Sequence, residues 1–163
     1  MKKAFLIVLF SAEILTACAQ TKCKIKKAYA FYTVSIPGVQ MVDDNGNPVP
    51  PVAQIERFIY IESKGSKAPA IETVYYDTSR FTMTVTKIEG SSITVGEKFG
   101  NIQSITIRAA KNFSLWKIEL YPAEDKIPVA RGCKNILLKT KSAGKACIYK
   151  IAGESELASL PRY

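Results

Sequence analysis

Histidine is absent from all 163 residues. That absence removes the imidazole base from every Ser-His-Asp or Cys-His arrangement, and with it the commonest protein ligand of zinc and copper. Glycine-rich phosphate loops of the G-x-G-x-x-G or G-x-x-x-x-G-K-[ST] kind are missing too. Acidic residues are few, 14 against 23 Lys and Arg, so the chain is attracted to anionic surfaces. The basic residues never gather into a long block, however, and no recognition helix can be traced, which argues against nucleic acid as a partner. The carboxylate pairs Asp43/Asp44 and Glu124/Asp125 lie beside Asn, Gly or Pro, where turn chemistry accounts for them. The run Asp43, Asp44, Asn45, Asn47 lacks the ligand spacing and closing glutamate of an EF-hand loop. These gaps lead us to expect a non-enzymatic chain with no cofactor and no metal.

What is present begins at the N-terminus. Met1-Lys2-Lys3 precede an apolar run from Ala4 to Phe10, and small residues follow at Ala17 and Ala19. The run is too short to span a bilayer and reads as an export signal, with Glu13 near its polar end. Leu15-Thr16-Ala17-Cys18 resembles a bacterial lipobox: an aliphatic residue, two small ones, then the cysteine whose thiol takes a diacylglyceryl group before cleavage. The resemblance implies a leader over residues 1–17 and lipidation of Cys18, several acyl chains making the attachment effectively permanent. The alternative site Ala17-Cys18-Ala19, cut before Gln20, would discard Cys18. No acidic residue follows Cys18 closely, which for a Gram-negative source implies an outer-membrane anchor facing the periplasm.

Residues 18–27 then form a short tether carrying Lys22, Lys24, Lys26 and Lys27, and residues 28–163 a single domain. Without Lys2, Lys3 and Glu13, 21 basic residues face 13 acidic ones, a net charge of +8. If Cys18 is acylated, the four tether lysines lie close enough to the bilayer to add to its attachment electrostatically.

The domain reads as strands over residues 28–36, 55–62, 71–76, 81–88, 102–109, 115–121, 136–140 and 146–151, separated by Gly, Asn and Ser turns. Phe81-Thr82-Met83-Thr84-Val85-Thr86 alternates strictly, one face for a core and one for water, as antiparallel sheets require. The segment Glu154 to Ser159 reads at most as one helical turn. The expected fold is an all-β antiparallel sandwich of about 7–8 strands, with a small, partly open barrel as the alternative. Gly38 to Pro50, with its Asp-x-x-Gly turn and Pro48-Val49-Pro50 exit, resembles the first hairpin of the carboxypeptidase-regulatory-like (prealbumin-like) β-sandwiches of exported bacterial proteins. Asn45-Gly46 and Pro48 account for the same shape by turn chemistry.

Of the strand aromatics, Tyr29, Phe31, Tyr60, Tyr75, Tyr76, Trp116 and Tyr121 can either fill a core or stack on a ligand. Trp116 is expected inside, and Tyr75 and Tyr76, being adjacent, on opposite faces. With Cys18 acylated or removed, Cys23, Cys133 and Cys147 remain. A hairpin turn centred on Ala143 sets Cys147 opposite Lys139 and leaves Cys133 six residues further along, about 20 Å away. A disulfide needs Cα atoms within about 7 Å, so this register makes no Cys133–Cys147 bridge; recentring the turn on Thr140 would permit one only by forcing Gly144 into a strand, and at most one bridge, involving Cys23, is expected. The expected function is an envelope-anchored lipoprotein serving as a non-catalytic binding or accessory module, or alternatively a barrel-type carrier of a small ligand or lipid. A continuous apolar cavity would favour the carrier; an exposed apolar patch without one would favour a protein interface.

Overall fold

The computed structural model describes residues 23–36, 41–50, 53–101, 103–123, 129–142 and 144–158. The strands are β1 (Ile25–Ser35), β2 (Met41–Val42), β3 (Pro48–Val49), β4 (Gln54–Lys64), β5 (Ala70–Tyr76) and β6 (Ser79–Lys87), then β7 (Ser92–Glu97), β8 (Ser104–Arg108), β9 (Phe113–Pro122), β10 (Ile136–Ser142), β11 (Lys145–Ile151) and β12 (Glu154–Leu157). The fold is all-β, and no helix occurs among the described residues. Eight strands form one sheet in the order β11-β10-β5-β6-β9-β4-β1-β12, while β2–β3 and β7–β8 are separate two-stranded ribbons.

Connectivity forces the large sheet to curl. Laid flat, eight strands would hold β11 and β12 on the order of 34 Å apart. Yet only Ala152 and Gly153 separate Ile151 from Glu154, a step that spans at most about 11 Å. The two edges must therefore approach each other, and the sheet becomes a half-barrel. β12 pairs with β1 in parallel, Ala30 opposite Glu154 and Thr33 opposite Leu157, so the sheet is mixed and departs from the antiparallel expectation. The helical turn expected at Glu154 to Ser159 is likewise replaced by strand β12, because the open edge of β1 offers backbone partners that a lone helical turn lacks.

Alternation then sorts the side chains. Ile59, Ile61, Val74, Tyr76, Trp116, Ile118, Ile136 and Leu138 point into the concave side and fill it. Thr82, Thr84 and Thr86 face water between Phe81, Met83 and Val85, as the pattern of β6 dictates. Trp116 is in the core; Tyr76 is fully buried whereas its neighbour Tyr75 is half-buried on the opposite face. On the convex side the β7–β8 ribbon lies over β1, β4 and β9, enclosing Phe31, Tyr60, Leu115, Ile107 and Leu157 in a second cluster. The molecule thus combines the curl of a partly open barrel with the second layer of a sandwich.

The hairpin register is offset from expectation by one residue. Ser142 pairs with Lys145 across Ala143-Gly144, so Cys147 lies opposite Thr140 instead of Lys139. Gly144 takes a φ of +77°, which favours glycine, and that fixes the turn half a residue beyond Ala143. Cys133 remains a free, buried thiol, and the bridge joins Cys23 to Cys147 with Cα atoms 5.8 Å apart. It ties the start of β1 to the edge strand β11, where Tyr149 Oη also donates to the Lys26 carbonyl at 3.4 Å. Replacing both Cys23 and Cys147 by serine is expected to lower unfolding free energy by about 2–5 kcal/mol, measured in urea, given the long loop that the bridge closes.

Candidate functional site

A cleft of about 620 Å³ lies between the β7–β8 ribbon and the convex face of the large sheet. Its floor is Phe58 with Thr33 and Ser35; its far wall is Thr94, Val95 and Glu97; Leu157 and Ala158 close one side. Local sequence builds this shape. Thr94 and Gly96 flank a bulge in the β7–β8 register, and Gly96 adopts φ +150°, which a side chain would strain. A Cβ there would make only ordinary contact, 3.6 Å from Leu157 Cδ1, so the constraint is the backbone. The ribbon is held to β12 at its loop end by two backbone bonds of β-ladder type, Phe99 N–H donating to the Glu156 carbonyl at 3.1 Å and Ala158 N–H to the Glu97 carbonyl at 2.8 Å, while Ala109 N–H donates to the Ser91 carbonyl at 2.7 Å and closes the ribbon's other end.

Under the ribbon Tyr60 packs edge to face with Phe31 and Phe58, and the two phenylalanines are tilted by 30°. Phe58 and Tyr60 lie 5.8 Å apart at 86°, and Phe31 packs on both at 6.1 Å. Lys117 Nζ sits 5.4 Å above the Phe58 ring and 2.7 Å from Glu119 Oε1, and this hydrogen bond holds the Glu119 carboxyl below its usual range. Thus Tyr29, Phe31 and Tyr60 join a packed outer cluster, Tyr76 and Trp116 the inner core, and Tyr121 stands half-exposed with its hydroxyl 3.3 Å from Glu119. Among the described aromatic side chains it is Phe58, which no local sequence pattern marks out, that lines the cleft.

A buried polar cluster lies at the opposite side of the sheet. Arg57 is 7% exposed and its Nε donates to Glu154 Oε2 at 3.1 Å, the glutamate side chain being fully buried. Arg57 Nη2 donates to the Val129 and Ala130 carbonyls at 3.1 Å each, and its guanidinium lies 5.4 Å over the Tyr76 ring. Glu154 Oε1 in turn accepts the Cys133 N–H at 3.2 Å. The Cys133 thiol donates to Asp77 Oδ2 at 3.3 Å, and burial, reinforced by the Asp77 and Glu154 carboxylates, pushes its pKa up. A thiol is nucleophilic as thiolate, so Cys133 is held in its inert form. The cluster pins β4, β12 and the 129–135 segment together as a structural clasp.

The residues singled out in the sequence separate. Cys18 and Lys22, the leader, and the pair Glu124/Asp125 lie outside the described residues. Lys24 is exposed just after Cys23, while Lys26 and Lys27, expected in a tether, belong to β1. Lys26 Nζ lies 3.6 Å from Glu62 Oε1 and 4.6 Å over the Phe113 ring. Asp43 caps its own hairpin: Oδ1 accepts the Asn45 and Asn47 N–H groups at 2.9 and 2.8 Å, and these bonds, led by that from Asn47, lower its pKa. No group of three or more metal-ligating side chains occurs among the described residues, and no helix there is long and apolar enough to cross a membrane. Ile36, Val42, Phe99 and Ile148 are exposed apolar side chains. No known family model matches the chain, and no curated protein or solved structure is significantly similar to it.

Proposed function

We propose that the protein is an exported, lipid-anchored binding module of the cell envelope that engages a partner through the cleft between the β7–β8 ribbon and the sheet. The observation that carries this reading is where the space lies. The concave side of the half-barrel is packed with side chains such as Ile59, Ile118 and Leu138 at 0% exposure, whereas the cleft on the convex side is open. Carriers hold ligand in an interior chamber; a packed interior with an external, largely apolar cleft and a polar rim suits a binding surface. The Cys23–Cys147 bridge supports export, since disulfides persist in oxidising compartments. The protonated Cys133 and the absence of histidine favour recognition over catalysis.

A photo-crosslinking amino acid placed at Val95, in the cleft, is expected to give a discrete adduct in intact envelopes. The same probe at Thr84, on the open face of β6, should give none. Equal labelling at both positions would overturn the cleft as the binding site, and a lipid retained by the purified protein and released only on unfolding would favour the carrier.

A further inference from the structure

The Cys23–Cys147 bridge gathers basic side chains that the sequence keeps far apart. Cys147 pairs with Thr140, whose neighbours Lys139 and Lys141 point outward and are exposed, and Lys145 sits at the hairpin end. Across the seam, Lys24, Lys26 and Lys27 follow Cys23 directly. Six lysines thus meet at one end of the curled sheet. The carboxylates among them are Glu62, against Lys26, and Glu72, against Lys139 and Lys141. These six lysines outnumber the two carboxylates by four, Lys64, whose N–H donates to the Lys24 carbonyl at 3.2 Å, lies at the same end, and the exposed Ile148 lies beside Lys139. Lys24, Lys27 and Lys145 have no ion-pair partner among the described residues.

We infer that this lysine-rich end is a docking face for the anionic headgroups of the bilayer that holds the anchor. The inference rests on the reading of Cys18 as the lipidated residue, because that reading sets the distance. Cys23 lies five positions after Cys18, at most about 18 Å of extended chain. A disulfide at Cys23 therefore keeps β11 and the β10–β11 hairpin near the headgroups, where opposite charge acts over a Debye length of about 8–10 Å. The face that the tether brings down is the one with surplus positive charge, and the cleft under the β7–β8 ribbon is left to a partner.

The test uses the chain from residue 18 onward with Cys18→Ser, so that acylation contributes nothing. It is expected to co-sediment with vesicles containing phosphatidylglycerol, to ignore vesicles of phosphatidylcholine alone, and to dissociate at about 1 M salt, where screening is complete within about 3 Å. Replacing Lys24, Lys27 and Lys145 together by Gln should weaken binding on the order of a hundredfold, at roughly fivefold per charge. Replacing Arg80, Arg131 and Lys134, which the register and the Cys133–Glu154 contact place toward the other end of the sheet, should change it less than about threefold. Equal losses from both triple variants, or no binding to the anionic vesicles, would overturn the docking face. So would equally tight binding to a soluble polyanion such as heparin. Palmitate labelling of the wild-type chain tests the anchor separately, so a failed docking face and a failed anchor give different results.

Discussion

Substituting Cys18 by serine is expected to abolish incorporation of labelled palmitate and to move the protein from the membrane fraction to the soluble one. On the proposed lipobox reading the effect should be all-or-none, because the Cys18 sulfur would be the atom that accepts the diacylglyceryl group and no other residue of Leu15-Thr16-Ala17-Cys18 could replace it. Several acyl chains, at about 0.8 kcal/mol for each buried methylene, exceed what reversible single-chain binding provides. Lysine attraction alone gives an attachment that salt releases. The informative measurement is therefore fractionation at high salt. A serine variant that still sediments with membranes there would show that Cys18 is not the anchor, and the cut before Gln20 would then be the better reading of the leader.

Replacing Arg57 by alanine is expected to destabilise the fold by roughly 3–5 kcal/mol, because it leaves the fully buried Glu154 without its counter-ion. It also strands the Val129 and Ala130 carbonyls, each bonded to Nη2 at 3.1 Å. For a domain of this size the melting temperature should fall by about 6 °C or more. Changing both members, Arg57→Met with Glu154→Leu, removes the charges together and should recover much of the loss, as apolar replacements of buried pairs commonly do. A double variant as unstable as the single one would show that the carbonyl bonds, and not the ion pair, carry the clasp. An Arg57→Ala loss under about 1 kcal/mol would place the pair in the class of exposed bridges and contradict its burial.

The strands that were legible in the sequence are those whose side chains alone decide their state. Phe81 to Thr86 alternates without a fault, and β6 is where that pattern puts it. β7 was hidden because Ile93 and Val95 lie among Ser91, Ser92, Gly96 and Gly100, residues that read as turn. It pairs with the next strand, β8, but the ribbon is docked just beyond β7, at Lys98, against Leu157 of β12, far along the chain. β12 was hidden for a related reason. Glu154-Ser155-Glu156-Leu157 has one apolar residue, and it becomes a strand because the free edge of β1 satisfies its backbone. The cleft depends on both missed strands, so it was illegible too, and Phe58 with it.

The cysteines divide in the same way. Register arithmetic ruled out Cys133–Cys147, since a hairpin is a local object whose spacing can be counted. The partner of Cys23 follows from the curl, which brings β11 round to β1 and is set by the two-residue step after Ile151. Likewise the clasp unites Arg57, Cys133 and Glu154 from three distant segments, and nothing in the neighbourhood of any one of them announces the other two.

The bridge has a mechanical consequence. Cys23 and Cys147 are separated by 124 positions, so nearly the whole of the folded domain hangs as a covalent loop between two linked sulfurs. Tension between an acyl anchor at Cys18 and anything gripping the chain beyond Cys147 would pass from Cys23 straight to Cys147. Strands β1 to β10 would then lie outside the line of force. Only the stretch from Ile148 through β12 would bear load, so pulling would peel β12 from β1 and let the loop swing as one body. A single cut within the loop would leave both pieces joined until a reductant separated them.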